Sequence, residues 1–189
     1  MRIDLCNKLV DNNLVKKDLL ERVEIKNTTK DDFEQILKTL AKAFDLTEQE
    51  VLFQFNTSKP LTEQCVKLVD RYTNEIYGLL IFCEYPINVG SPIRMYSNEL
   101  SEMLGKYKQV NGHSFIIDER LRGTSLDKKM LYHNIKFLSE NYDLIWIGVE
   151  STLLTHNYWK RLGFTEVFRI PEAIFYLIPL SEKMIKDYL

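Results

Sequence analysis

With 189 residues, three cysteines and a formal net charge of −2, the chain fits one domain large enough to bury a conventional core without disulfides or metals. That charge supplies no basic field, which argues against nucleic acid as a main partner, and no segment nears the roughly 20 apolar residues of a membrane span. Cys6, Cys65 and Cys83 form neither an even set nor a C-x-x-C pair, so they read as reduced thiols and no metal site is expected. The start, MRIDLCNKLVDNN, lacks the charged-then-apolar layout of a secretory signal, and a cytoplasmic location is the expectation.

Residues 1 to 22 read as an N-terminal extension to a single 1–189 domain, with a short helix fitting Asn13 to Arg22. Val23 to Ile25 alternates like a strand. Thr29 with Asp32 forms a capping box, and Phe33, Ile36, Leu37, Leu40 and Phe44 fall on one helical face. Thr47 with Glu50 repeats the signal and predicts a second helix to about Phe55, ended by Ser58-Lys59-Pro60. Gln64 to Tyr72 and Glu75 to Tyr85 predict a hairpin, the second run reading as a central strand through Ile76 to Cys83. Gly90-Ser91-Pro92 marks a loop, and Tyr96 to Lys108 fits a helix.

The stretch that organises the rest is Gly112 to Leu131, a strand, a polar turn and the start of an amphipathic helix. Such a turn aims backbone N–H groups and the positive end of a helix dipole at one spot, which suits a phosphate. A ligand-free account is also open. Thr124 with Asp127 reads as a capping box, and Leu126, Met130, Leu131, Ile135 and Leu138 make a plain core stripe. Arg120, Arg122, Lys128 and Lys129 are either cradle charges or a solvated turn. Leu144 to Val149, a helix over Thr155 to Leu162 closed by Gly163, and strands at Glu166 to Ile170 and Ala173 to Pro179 complete a mixed α/β domain.

Three features of this chain together resemble the GCN5-related N-acetyltransferase (GNAT) family from about Val23 onward. The first is the order of elements. The second is Ile117 to Asp127 (IDERLRGTSLD), similar to the family's pyrophosphate segment Q/R-x-x-G-x-G/A. The third is YWKRLGF at Tyr158 to Phe164, similar to its late Y-x-x-x-G-F motif. Arg122 fits the first position, while Ser125 and Asp127 stand where the family has glycine or alanine. Trp159 stands at the usual tyrosine, and Thr152 falls near a frequent asparagine.

The resemblance implies a central mixed, mostly antiparallel sheet flanked by helices. It also implies acetyl-coenzyme A as acyl donor and transfer to a primary amine of a small molecule or peptide, with a homodimer allowed. It places the pantetheine arm along Phe115, Ile116 and Ile117. The pyrophosphate falls around Arg122, Gly123, Thr124, Ser125, Leu126 and Asp127, with Trp159 a further cofactor contact. His113 shares the strand parity of Phe115 and Ile117 and suits a base by its ordinary pKa; a structural histidine is the other reading. Tyr158 is either the thiolate's acid or a packed aromatic beside Trp159. Asp127 stabilises the helix dipole yet repels a diphosphate. A non-catalytic acyl-coenzyme A binder or protein-interaction module on the same fold is the alternative.

Overall fold

The computed structural model describes residues 17–58, 60, 63–84, 97–151, 156–182 and 185. Residues 17–22 are helical; the rest of the predicted first helix, the Gly90-Ser91-Pro92 loop and Thr152 lie outside the described residues. Seven strands form one sheet: β1 (Val23–Asn27), β2 (Val66–Asp70), β3 (Ile76–Cys83), β4 (Gln109–Ile117), β5 (Leu144–Glu150), β6 (Thr165–Arg169) and β7 (Ala173–Pro179). Their spatial order is β1-β2-β3-β4-β5-β7-β6. All neighbours are antiparallel except β4 and β5.

The helices are α1 (Phe33–Phe44), α2 (Glu48–Ser58), α3 (Asn98–Leu104), α4 (Leu126–His133), α5 (Ile135–Asn141) and α6 (His156–Arg161). Both N-terminal boxes form: Thr29 N–H donates to Asp32 at 2.7 Å, and Thr47 N–H donates to Glu50 at 2.8 Å. Helix α1 buries Ile36, Leu37, Leu40 and Ala41, while Phe33 and Phe44 at its ends are exposed. The stripe predicted for one long helix after the polar turn is split at Asn134, whose side chain donates to the Gln64 carbonyl at 2.7 Å. An amide that ties the turn to β2 thus interrupts what the apolar spacing alone leaves continuous.

Each sheet face carries its own apolar layer. One face packs Val66, Leu68, Leu80, Phe82, Val110, Ile145 and Ile147 against Met130 and Leu131 of α4, Leu138 of α5 and Leu162 after α6. On the other, α1 and α2 cover Cys65, Leu79 and Ile81, and α3 packs on Leu144 and Trp146 of β5 beside Phe175 and Leu177 of β7. Between those two clusters β4 presents the buried polar residues Gln109, Asn111 and Ser114. Gln109 donates to the Leu104 carbonyl at the end of α3 at 2.6 Å, and Asn111 to the Trp146 carbonyl of β5 at 3.2 Å, so both amides have partners.

Candidate active site

Strand β4 departs from regularity in two places that coincide. Against β3, Ile81 pairs with Ser114 while the next residue, Phe82, pairs with Gly112, so His113 is an extra residue, a β-bulge. Against β5 the parallel register runs only through Gln109–Leu144, Val110–Ile145 and Asn111–Trp146. From Gly112 and Ile147 onward the two strands part. A Cβ built on Gly112 would lie 2.9 Å from Ile147 Cγ2, closer than any real contact, so the strands touch where they separate only because residue 112 has no side chain. Past this point the β5-facing backbone of residues 113–117 has no strand partner, and its N–H and C=O groups require another.

The bulge interrupts the alternation on which the parity expected for His113 rests. Phe115 and Ile117 pack with the α4 layer, whereas Ile116 packs with the α1–α2 layer. His113 Nδ1 lies 2.9 Å from Ser114 Oγ. The imidazole is half-buried, and burial holds its pKa below the usual 6.5. A neutral, proton-accepting ring at neutral pH follows.

Strand β4 leads through Asp118 and a single 3-10 turn, Glu119–Leu121, into the α4 N-terminus. Gly123 has φ +73° with open space around its missing side chain. Ser125, the residue before the helix, also has positive φ, +64°, a conformation that costs a non-glycine residue about 1–2 kcal/mol. The predicted capping box is absent: Thr124 Oγ1 donates to the Leu121 carbonyl at 2.6 Å, because the left-handed Ser125 turns Thr124 away from the helix. Instead Asp127 covers the helix end itself, accepting the Lys128 N–H at 2.7 Å.

Asp127 also accepts a hydrogen bond from the Tyr158 hydroxyl, and burial together with that carboxylate raises the phenol's pKa. The Tyr158 ring stacks on Phe115 with centroids 6.2 Å apart, and Trp159 lies 6.0 Å from the same ring. Trp159 also lines a narrow apolar cavity with Gly112, Phe115, Ile147, Leu162 and Phe164. Its Nε1 is buried without an acceptor among the described residues. Of the predicted charges, Arg120 is committed elsewhere, forming two bonds to Asp118 at 2.8 and 2.7 Å and lying over Tyr77. Arg122 is exposed at the rim of the turn.

The structure thus brings Phe115, Tyr158, Trp159 and Asp127 together beside the parted strands, with residues 122–126 forming the adjoining turn. His113 contacts Ser114. A strand that parts from a parallel neighbour at a bulge and feeds a helix N-terminus decides the fold. This is the GNAT fold. Solved structures with it include the GNAT-family N-acetyltransferase YhbS from Escherichia coli in complex with CoA, at TM-score 0.60 and 18% identity, covering 86% of this chain and 83% of that one. Arabidopsis thaliana NAA60 with a bisubstrate analogue aligns at TM-score 0.61 and 14% identity, over 83% and 97%. The NatC complex bound to Gag peptide and CoA aligns at 0.58 and 17%, over 85% and 99%. No protein-family model and no curated protein sequence matches the chain.

Ser114, Gly112 and the Asp127–Tyr158 bond were not singled out from sequence. The serine adjoining His113 was the one available signal; a contact between residues 127 and 158 has none.

On the α1–α2 face lies a second cavity of about 210 Å³, lined by Thr28, Phe33, Ile36, Phe55, Cys65 and Ile81, with Lys30 among its polar lining. Burial pushes the Cys65 thiol up to about 12, so the cavity floor is uncharged.

Proposed function

We propose that the chain is an acetyl-coenzyme A-dependent N-acetyltransferase acting on a primary amine. The parting of β4 and β5 at the His113 bulge, directly ahead of the α4 N-terminus, carries this reading. It sets a length of unpaired strand edge beside a helix end that favours anions. Acetyl-coenzyme A supplies a thioester activated for attack by an amine. Backbone groups of Phe115, Ile116 and Ile117 hold the extended pantetheine arm as a partner strand would, and Arg122 with the turn through Leu126 holds the diphosphate. The neutral His113 ring, positioned by Ser114, takes the proton that the ammonium must lose before it attacks.

The proposal is tested by melting the protein with acetyl-coenzyme A. Ligand at 100 times its Kd adds about 2.7 kcal/mol to the native state, which raises Tm by roughly 5–10 °C for a chain of this size. Absence of a shift at millimolar ligand rejects it.

The acceptor's apolar part is assigned to the α1–α2 cavity. Its volume of about 210 Å³ leaves room for a short alkyl chain, and it lies against Ile81, whose strand partner is Ser114. Lys30 on its wall turns the amine away from that side. In an n-alkylamine series the apparent KM is expected to fall roughly fourfold per methylene until the cavity is full, and Ile36→Phe is expected to abolish the trend. A flat series places the acceptor elsewhere.

A second reading, a binder of acyl-coenzyme A without turnover, is favoured by the Tyr158 hydroxyl being held by Asp127. Thiol release with an amine panel separates the two.

A further inference from the structure

Ser114 is a buried hydroxyl, 8% exposed, and among the described residues its Oγ has one side-chain partner, His113 Nδ1 at 2.9 Å. The direction of that hydrogen bond decides what each group can do. With the ring proton on Nδ1, the serine O–H is left buried and without an acceptor, a costly arrangement. With Ser114 as donor, the O–H is satisfied, and the ring proton sits on Nε2 of a side chain that is only half-buried. In that tautomer the one basic lone pair of the imidazole, on Nδ1, is already covered by the serine. A proton then reaches it only through Ser114 Oγ, an oxygen with no donor to it among the described residues.

That oxygen lies on the acceptor's side of the sheet. Ser114 pairs with Ile81, residues directly opposite share a sheet face, and Ile81 lines the α1–α2 cavity. Asn111–Trp146 is the last β4–β5 pair, so Ser114 stands on the open strand edge beyond it. We infer that Ser114 is a catalytic residue that relays the acceptor's proton to His113. One N–H bond of the ammonium breaks as its proton passes to Ser114 Oγ, the serine's own proton passes to Nδ1, and the nitrogen lone pair is freed to attack the thioester. Positive charge moves from the substrate nitrogen to the imidazolium, and the serine ends with an O–H as it began. This rests on the acetyltransferase reading and supplies the route by which His113 acts in it.

Ser114→Ala removes the relay, whereas Ser114→Thr keeps a hydroxyl on the same carbon. Thiol release is measured with propylamine, an ammonium ion at neutral pH, and with trifluoroethylamine, which is already neutral there. With propylamine, Ser114→Ala is expected to lose about 10²-fold in kcat/KM, the lower end of what a positioned proton acceptor contributes, and Ser114→Thr to recover most of that loss. With trifluoroethylamine the loss in Ser114→Ala is expected to shrink to a few-fold, because no proton has to leave before attack. An equal loss with both amines makes Ser114 structural and overturns the inference, as does no loss with either. The tautomer is read in the wild type, independently of the serine variants. The chain has three histidines, so the ¹⁵N-imidazole signals missing in His113→Gln are those of His113, and they are expected to show the proton on Nε2. A proton on Nδ1 overturns the relay while the acetyltransferase reading stands. If the wild type releases no thiol with any amine, that reading falls and the relay falls with it.

Discussion

Replacing Asp127 by asparagine or glycine is expected to tighten coenzyme A binding about tenfold. The carboxylate sits over the first turn of α4, where it takes the Lys128 N–H and the Tyr158 hydroxyl. A diphosphate arriving at the same helix end meets a like charge. Two unit charges at ~4 Å repel by about 4 kcal/mol at an effective dielectric near 20. Partial exposure of Asp127 and salt reduce this to about 1–2 kcal/mol, and 1.4 kcal/mol is tenfold in affinity. Asp127→Asn removes the charge but keeps an acceptor for Tyr158, whereas Asp127→Gly also vacates the space. Equal gains in both variants mean charge is the obstacle; a gain in the glycine variant alone means occupancy is. Unchanged calorimetric affinity in both removes Asp127 from the diphosphate's surroundings.

Loss of the His113 imidazole is expected to lower kcat/KM by about 10²–10³, within the range of general-base contributions. Burial lowers the folded-state pKa below 6.5. The sign follows directly. Above 6.5 the ring is neutral and able to accept a proton, so activity is on its plateau. As pH falls through the lowered pKa the ring charges, and kcat/KM declines. The wild-type profile should therefore show an acidic limb below 6.5 that is missing in His113→Gln. Thiol release followed from pH 5 to 8 with one amine reads both effects. A limb that persists in the variant assigns the proton transfer to another group.

The apolar pattern made the core and most elements legible. Continuous hydrophobicity over Ile76 to Cys83 marked a strand buried on both faces, and it is buried throughout. Capping boxes located α1 and α2 because they are purely local, needing only residues three apart. The single-helix reading after Leu126 failed at Asn134, whose decisive partner, the Gln64 carbonyl, lies 70 residues away. The box expected at Thr124 failed for a different reason: a left-handed serine is not visible in residue type, since glycine is the residue that ordinarily announces that conformation. The candidate site was put forward as a stretch on its likeness to a known motif. Its internal wiring was not, because the Asp127–Tyr158 bond and the partner of His113 depend on how strands pair.

The bulge in β4 has a further meaning for how the chain can change. With His113 left out, Val110, Gly112, Phe115 and Ile117 would alternate without interruption with Asn111, Ser114 and Ile116, and every side chain would stay on the face it now occupies. The strand is thus a regular sheet element plus one inserted residue. Hydrophobic patterning places no demand on position 113. Deleting it would meet the same pattern and is expected to restore an unbroken register between β3 and β4, so the break in β4 rests on this one inserted residue.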